Sequence, residues 1–190
     1  QVKFIAYTSA ANAQESTLLL APPHRAAEEA IIKTGIPYSF LRNNWYLENE
    51  IASIQGILAG APWVTSAGSG KVGWALQQEY AEAAAAVLAG EGHENTTYEL
   101  SGKLLTQEEL AAALSTVLNK EVPVQQVDDV TYGEMMKGAG VPDFIIPMLV
   151  GIQQSIREGA LEIESNDFEK LLGRPTTPIH EALDQIVSKL

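Results

Sequence analysis

Cysteine is absent from the chain, and histidine is scarce. Without cysteine the chain can form no disulfide and has no thiol chemistry, which fits a reducing compartment such as the cytoplasm. The three histidines, His24, His93 and His180, are far apart, and none has a second histidine at the spacing of metal ligands. We therefore expect a cytoplasmic protein without a structural metal site.

Positive charge is also in short supply. The 190 residues include 12 Lys and Arg against 24 Asp and Glu, a net charge of −12, and nucleic-acid binding relies on basic side chains that displace counterions. No apolar run approaches the length that crosses a bilayer. With 46% hydrophobic residues the chain can build a core. The composition favours a globular protein with a small-molecule site and argues against nucleic-acid and membrane partners.

Several well-known motifs are missing as well. No G-x-G-x-x-G or G-x-x-G-x-x-G follows a strand, there is no P-loop, and no Ser-His-Asp triad can be assembled. The segment AGSGK (67–71) comes nearest to a phosphate-binding loop, but its spacing is incomplete and it does not join a clear strand to a clear helix. A solvent-exposed turn is the favoured interpretation.

The first half of the chain alternates strand and helix patterns with short connections, which is typical of a parallel α/β sheet. The helix signals end at glycine stops, and segment 61–76 has the glycine content of a loop. The predicted elements are strands at 2–9, 36–43 and 96–102, and helices at 24–35, within 45–60 and at 77–92.

The second half is mostly helical. Thr106 and Glu109 have the spacing of a capping box, and Asn166 and Thr177 are predicted to cap two later helices. A proline makes 122–128 an edge strand, because proline cannot donate to a ladder. The predicted helices are 106–120, 129–140, 142–161, 166–173 and 177–190.

The chain divides near residue 104. We expect a sheet domain at 1–103 that is interwoven with a smaller helical lobe at 104–190. The chain opens on Gln1 and enters the apolar strand pattern VKFIAYTS (2–9) at once. A strand this apolar is usually central and covered on both faces, so we expect that an N-terminal part of the protein precedes Gln1.

Four glutamates, Glu28, Glu29, Glu48 and Glu50, lie near predicted helix ends. Catalysis is one interpretation of them. A solvated helix face, or pairing with the helix dipole, is the favoured one.

Polar residues follow three predicted strands, at Thr8–Ser9, Asn43–Tyr46 and Ser101–Gly102. In an open parallel sheet, ligands bind at the carboxyl ends of the strands. Hydroxyl and amide groups there can hydrogen-bond a ligand, while Trp45 and Tyr46 form a flat apolar wall. The alternative is that the asparagines make turn hydrogen bonds and the aromatics fill the core. The pattern alone supports both interpretations equally.

Two of these stretches resemble one known family. KFIAYTS (3–9) and LRNNWYLEN (41–49), with a histidine at the head of the helix between them, are similar to the NmrA-like branch of the atypical short-chain dehydrogenases. Within that branch, the similarity is greatest to the bacterial NAD(P)H:quinone oxidoreductases of type 2. It continues through 68–102, 106–120 and 171–183, and so covers nearly the whole chain.

The resemblance implies a Rossmann-type NAD(P)-binding domain with a smaller C-terminal substrate lobe. NADP(H) is the expected cofactor and NAD the alternative. The family's glycine-rich dinucleotide loop would lie upstream of Gln1, in several βα units of roughly 100 residues, so the N-terminal dinucleotide-binding half is expected to be absent. The expected partners are a small quinone-like molecule and, as an option, a second copy of the chain in a homodimer.

The resemblance also assigns roles to residues near the strand ends. The first strand of the chain meets the nicotinamide ribose in this family, and the loop after the next strand flanks the nicotinamide and the substrate. The assignments are Thr8, Ser9 and Asn43 to the cofactor, and Asn44, Trp45 and Tyr46 to the substrate.

His24 falls near the position of a catalytic lysine in related reductases. A helix N-terminus disfavours a charged imidazolium, so a neutral His24 could polarise or orient the substrate as a catalytic residue. A solvent-exposed capping histidine is the equally weighted alternative. The Tyr-x-x-x-Lys pair of short-chain dehydrogenases is missing, and Glu29 stands where close relatives often carry a lysine.

The expected function is hydride transfer from NAD(P)H to a quinone or similar small electrophile. A quinone accepts hydride directly, so the protein mainly has to position the two reactants. The alternative is a redox sensor that binds NAD(P) and regulates a partner without turnover. Without the pyrophosphate-binding loop, the chain alone is expected to be inactive.

Overall fold

Strands and helices alternate in the first half of the structure, and helices dominate the second half. The computed structural model describes residues 2–190, and Gln1, the first residue of the predicted sheet domain, lies outside them. The strands are β1 (Ile5–Ala10), β2 (Tyr38–Asn43), β3 (Trp45–Tyr46), β4 (Trp63–Thr65), β5 (Lys71–Ala75), β6 (Thr96–Leu100), β7 (Leu104–Thr106) and β8 (Val124–Gln126). The helices are α1 (Ala21–Lys33), α2 (Ile51–Leu58), α3 (Gln77–Ala89), α4 (Gln107–Leu118), α5 (Asp129–Gly138), α6 (Ile146–Arg157), α7 (Asp167–Leu172) and α8 (Ile179–Val187), with a 3₁₀ turn at Leu47–Glu50. Within residues 2–190, no helix is both long and apolar enough to cross a membrane.

Strands β1, β2 and β6 form a parallel sheet with β2 in the centre. Ala10 lies beside Asn43, and Asn43 lies beside Leu100, so the three strands end at one edge. The α/β class and the parallel sheet predicted from the sequence are confirmed. Among residues 2–190, β1 pairs with β2 only.

Helices cover both faces of this sheet. Successive side chains of a strand point to opposite faces. Tyr7 and Ser9 hydrogen-bond to residues of α1 on one face. Leu41 packs with Tyr80 of α3 and Phe168 of α7 in a buried cluster on the other. Each residue at the functional edge therefore belongs to either the α1 face or the α3 face.

Arg42 ties the α1 face of the sheet together. Its Nε and Nη2 donate to the two oxygens of Glu28 at 2.9 and 2.7 Å, and its Nη1 donates to Glu99 at 3.0 Å. Ser9 Oγ and Gln14 Nε2 also donate to Glu28, at 2.7 and 2.9 Å. Glu28 is 0% exposed, so the prediction that it lies on a solvated helix face is wrong. Its partner lies on the strand that follows, and the bidentate contact offsets the cost of removing both charges from water.

Segment 61–76, predicted to be a loop, contains the strands β4 and β5. Strand β5 pairs with β3 and β7, and β4 pairs with β8. Gly73 lies in the middle of β5, so close to Ser101 that a Cβ would overlap the serine hydroxyl. The glycine that suggests a loop in the sequence instead allows β5 to approach the segment between β6 and β7 closely.

The AGSGK segment forms the turn between β4 and β5, as predicted, but the prediction that it is solvent-exposed is wrong, because Ala67 and Gly70 are buried. Gly68 has a φ of 57°, which favours glycine. A Cβ at Gly70 would overlap the backbone of Ile156. The turn therefore packs against the end of α6 and does not open around an anion.

Local signals in the second half are largely confirmed. At α4, Glu109 N donates to Thr106 Oγ1 at 3.1 Å and Thr106 N donates to Glu109 Oε2 at 2.8 Å, which completes the capping box. Within the described chain β8 pairs with β4 only, as an edge strand does. The helix predicted over 142–161 is shorter than expected, and α6 covers only Ile146–Arg157.

Two predicted helix starts are wrong, those of α1 and α8, and a third, that of α7, is correct in position but lacks the predicted capping hydrogen bond. Helix α1 begins at Ala21, so two prolines lie in its first turn. N–H groups in the first turn have no acceptor within the helix, so proline, which lacks an N–H, costs no hydrogen bond there. The side chain of Asn166 makes no capping hydrogen bond to α7. Thr177 donates its hydroxyl to Glu79 at 3.0 Å and does not cap α8. The Thr177 hydroxyl therefore bonds a carboxylate that is distant in the sequence and not the free N–H groups at the start of α8.

Glu28→Gln should destabilise the protein strongly at neutral pH. The change leaves the partly buried Arg42 with Glu99 as its remaining charged partner, and breaking one half of a buried ion pair costs up to about 3–5 kcal/mol. Glu29→Gln, at the exposed neighbouring position, is the matched control and should change the free energy of unfolding by less than about 0.5 kcal/mol. Urea unfolding of the full-length protein measures both values.

The penalty of Glu28→Gln should also depend on pH. Burial tends to raise the pKa of Glu28, but the hydrogen bonds from Arg42, Ser9 and Gln14 outweigh burial and lower it. The charge of Glu28 therefore stabilises the fold above the unfolded-state pKa, and this contribution is lost as the pH falls through the folded-state pKa. Burial raises the pKa of Glu99, and the charge of Glu28 adds to this rise, so the loss of Glu28 makes Glu99 easier to ionise. An equal penalty at about pH 7 and about pH 3 would contradict a contribution from the Glu28 charge.

Candidate functional site

A cleft of about 250 Å³ opens where β1, β2 and β3 meet the first half of α3. Ligand pockets usually measure about 300–1,000 Å³, so this cleft has room for one ring-sized group. Its sheet side carries hydroxyl and amide groups, and its α3 side is mostly aromatic and methyl. The lining residues are Thr8, Asn43, Tyr46, Gln77, Tyr80, Ala81 and Ala84.

Three of the seven predicted site residues meet in this cleft. Thr8 pairs with Leu41, two residues before Asn43 in β2, so the alternation of side chains directs Thr8 and Asn43 to the same face. Tyr46 follows in β3. The strand-end spacing in the sequence thus identifies part of one concave surface.

Asn43 and Tyr46 form the polar centre of the cleft. Asn43 Nδ2 donates to Tyr46 Oη at 3.0 Å. Asn43 is 7% exposed, and its Oδ1 has no hydrogen-bond partner among the residues that the structure describes. A phenol that accepts one hydrogen bond keeps its own O–H to donate. The pair therefore offers a ligand one acceptor, Asn43 Oδ1, and one donor, the Tyr46 hydroxyl.

The second wall of the cleft comes from α3, which the sequence analysis does not assign to the site. The ring of Tyr80 packs edge-on against Tyr46 with centroids 5.0 Å apart, and burial raises the pKa of Tyr80 far above its usual value. Ala81 and Ala84 leave the space beside these rings open. The three- and four-residue steps along α3 mark one helix face, but an alanine run in a sequence does not reveal that its methyl groups line a cleft.

Two carboxylates anchor α3 in place. Both oxygens of Glu48 accept from Gln77 N at 3.0 Å, at the start of the helix. Glu79, which is 2% exposed, accepts from Arg174 Nη1 at 2.9 Å and from Thr177 N at 2.7 Å. The helical wall of the cleft is therefore fixed at its N-terminus and tied to the C-terminal segment of the chain.

Ser9 and His24 lie on the opposite face of the sheet from the cleft. Ser9 Oγ donates to Glu28 at 2.7 Å. His24 Nδ1 shares a hydrogen bond with Tyr7 Oη at 2.9 Å. Burial, and then the negative charge of Glu28, raise the pKa of Tyr7. Both predicted residues therefore belong to the α1 face, and the structure does not bring them together with the cleft.

Asn44 is fully occupied inside the protein. Its Nδ2 donates to Leu161 O at 2.9 Å and to Ser101 Oγ at 3.2 Å, and its Oδ1 accepts from Gly73 N at 3.3 Å. These bonds join the ends of β2 and β6 to β5 and to the segment after α6. Asn44 therefore holds the edge of the sheet together, although it is adjacent to Asn43 in the sequence.

Trp45 points its polar group at a carboxylate. Trp45 Nε1 and Trp74 Nε1 both donate to Glu50 Oε1, at 3.2 and 3.0 Å. Burial raises the pKa of Glu50, and the two indole hydrogen bonds work against that rise. The indole nitrogen of Trp45 is thus already used, and its half-buried ring packs against the main hydrophobic core.

A second cavity, of about 350 Å³, lies beside the third strand end at Gly102. It is lined by Lys71, Lys103 and residues 163–165. Lys71 reaches Glu162 at 3.6 Å, and both side chains are about half exposed. Two exposed lysines beside acidic residues do not make a preformed anion site. Within residues 2–190, no three His, Cys, Asp or Glu side chains cluster in a way that could hold a metal ion.

The chain is similar to known oxidoreductases, although no family model matches it. Quinone oxidoreductase 2 of Escherichia coli strain K12 is 38% identical over 186 residues, which are 97% of this chain and 65% of that protein. Two structures of this NADPH-dependent E. coli enzyme, one of them complexed with NADPH, superpose with TM-scores of 0.91 and 0.92 at 37% identity. They match 98% of this chain and 68% and 66% of their own. The triphenylmethane reductase of Citrobacter sp., complexed with NADP(H), is 40% identical with a TM-score of 0.91, over 97% of this chain and 66% of that one.

These comparisons match the parallel sheet to the fold of Rossmann-like reductases. The chain spans 65% of the length of the E. coli relative.

Asn44→Ala should lower the stability of the full-length protein by about 2–3 kcal/mol. The change leaves Gly73 N and Leu161 O buried without their partner, and each unsatisfied group costs about 1–3 kcal/mol. Asn49→Ala, at an exposed position of the 3₁₀ turn, is the control and should change the free energy of unfolding by less than about 0.5 kcal/mol. If denaturant unfolding gives equal values for the two variants, Asn44 does not hold the sheet edge together.

Proposed function

Because the chain belongs to the NmrA-like family of atypical short-chain dehydrogenases, we propose that the full-length protein is an NADPH-dependent oxidoreductase. Its proposed acceptor is a quinone or a similar small electrophile, and bound NADPH supplies the hydride. Two relatives support this proposal, a quinone oxidoreductase solved with NADPH and a triphenylmethane reductase solved with NADP(H). NAD is the alternative cofactor.

The observation that carries the proposal is the Asn43–Tyr46 pair in the cleft. A nicotinamide ring bears a planar carboxamide, which has a donor and an acceptor side by side. Asn43 Oδ1 is buried and unpartnered among the described residues, so it would accept from the carboxamide N–H. The hydroxyl of Thr8, at the exposed edge of the same cleft, would bind the ribose. The size of the cleft suits a single ring.

The nicotinamide ring would fill the cleft, so the substrate would stack on this ring at the cleft mouth, beside Tyr46. We assign Tyr46 to direct contact with it, and Trp45 to apolar surface only, because its indole N–H is held by Glu50. The polar atoms of Ser9 and Asn44 are occupied within the protein. We therefore assign these two residues to positioning the sheet edge, and not to contact with the cofactor or the substrate.

His24 would act indirectly. Its Nδ1 bonds Tyr7 of β1 on the α1 face, so we propose that His24 supports β1 and does not touch the substrate. The chain also lacks the Tyr-x-x-x-Lys pair. Its residues would therefore contribute mainly by holding the two reactants in register, which is a large part of the rate enhancement in hydride transfer.

We propose that residues 104–190 form a substrate lobe interwoven with the sheet domain. The support is strand pairing across the division, since β7 pairs with β5 and β8 pairs with β4. A lobe joined in this way would stay rigidly placed beside the strand ends.

The full-length protein should oxidise NADPH in the presence of a simple quinone, and Ala81→Leu should lower kcat/KM by at least about 10-fold, because the larger side chain fills the cleft and displaces the ring. Ala89→Leu is the matched control, since Ala89 is exposed on the same helix and does not line the cleft. Steady-state absorbance assays measure both variants.

Two outcomes would contradict the proposal. Equal losses in the two variants would show that the cleft is not the reaction site. Tight binding of NADP+ in calorimetry, with no turnover of several quinones, would instead identify a redox sensor that regulates a partner.

A further inference from the structure

We propose that Tyr46 is the catalytic proton donor to the reduced substrate, an inference that rests on the proposed function. Addition of hydride to a quinone delivers two electrons and one proton and leaves a hydroquinone monoanion. A second proton is needed to complete the product. The O–H bond of Tyr46 breaks, a new O–H bond forms on the substrate oxyanion, and the tyrosinate regains a proton from water. The sum is quinone plus NADPH plus H+ to hydroquinone plus NADP+.

The geometry singles out Tyr46 among the hydroxyl groups of the cleft. Its Oη accepts from Asn43 Nδ2 at 3.0 Å, and the structure shows no acceptor for its own hydrogen among residues 2–190. The hydroxyl of Tyr80 is directed at the backbone oxygen of Trp45, at 3.4 Å. His24, the other proton carrier predicted from the sequence, lies on the opposite face of the sheet.

Asn43 would assist this transfer directly. When Tyr46 gives up its proton, its oxygen becomes negative, and the N–H of Asn43 is already aimed at that oxygen. A preformed donor of this kind stabilises the new charge without reorganisation. The amide of Asn43 is buried, so little competing water reaches it.

Thr8 would return the proton from solvent. It lines the same cleft, and it is exposed to water. Its hydroxyl can both accept and donate a hydrogen bond, so it can connect bulk water to the tyrosinate. Tyr80 is buried, whereas Gln77 and Ala81 share the exposed edge of the cleft with Thr8.

A comparison of a neutral and a cationic hydride acceptor distinguishes a role of Tyr46 in proton donation from a role in substrate binding. A quinone needs hydride and a proton, whereas a cationic triphenylmethane dye takes hydride and becomes neutral without any proton. Tyr46→Phe should therefore lower kcat with a quinone by about 100-fold or more, within the usual range for loss of a general acid. With the cationic dye, the same variant should lose less than about 3-fold.

Tyr38→Phe is the matched control. Tyr38 stacks on Phe40 with ring centroids 4.3 Å apart, on the α1 face of the sheet, and loss of its hydroxyl should leave both activities unchanged. A second measurement uses buffer acids. The quinone rate of Tyr46→Phe should rise with the concentration of a small general acid such as imidazolium, because the acid replaces the missing donor, while the wild-type rate should not.

Each outcome decides the matter. Equal losses with both acceptors would show that Tyr46 acts in binding, and no loss with the quinone would exclude a catalytic role. If the dye is not accepted, the buffer series decides, because absence of rescue would overturn proton donation. If the wild-type protein oxidises NADPH with neither acceptor, the proposed function itself fails, which is distinguishable from failure of the Tyr46 assignment.

Discussion

The charge pair between Arg42 and Glu28 is the interaction on which the functional edge of the sheet depends. A guanidinium enclosed between a sheet and a helix must find carboxylates, because an unpaired buried charge would cost several kcal/mol. Glu28 on α1 and Glu99 on β6 supply them. Once both contacts are made, α1, β1, β2 and β6 have a single relative register. Asn43 is the next residue after Arg42, so the same pair also sets where the amide of the cleft lies.

Alternation along the strands then separates two tasks. Ser9 and Arg42 point to the α1 face and build the charged network, while Thr8 and Asn43 point to the α3 face and line the cleft. A run of adjacent polar residues at a strand end therefore serves both structure and ligand binding. This division explains why the polar cluster after β2 contains a residue as enclosed as Asn44 directly beside one with a free buried oxygen.

Features that depend on near neighbours are the ones that the sequence predicts. The parallel strands, their common edge and the capping box of α4 follow from local spacing, whereas the assignment of three cleft residues to a ligand site depends on the family resemblance. Glu28 does not, because a lone glutamate on a helix has the pattern of a solvated face until Arg42 arrives from the following strand. Strand β5 is missed for a similar reason, since Gly73 has its effect only against Ser101, which lies on another part of the chain. The sequence does not predict the α3 wall, because Ala81 and Ala84 line a cleft only once α3 is packed against the sheet.

The anchoring of α3 by Glu79 has a consequence for the order in which the protein takes shape during synthesis. The strands and α3 leave the ribosome well before residues 174–177, which supply the partners of Glu79. Domains form as their segments emerge, N-terminal parts first. In a nascent chain the sheet side of the cleft can thus be complete while α3 is anchored only by Glu48. At that stage Glu79 still lacks its partner Arg174. Residues 174–177, which are made later, thus fix in place a wall that formed earlier.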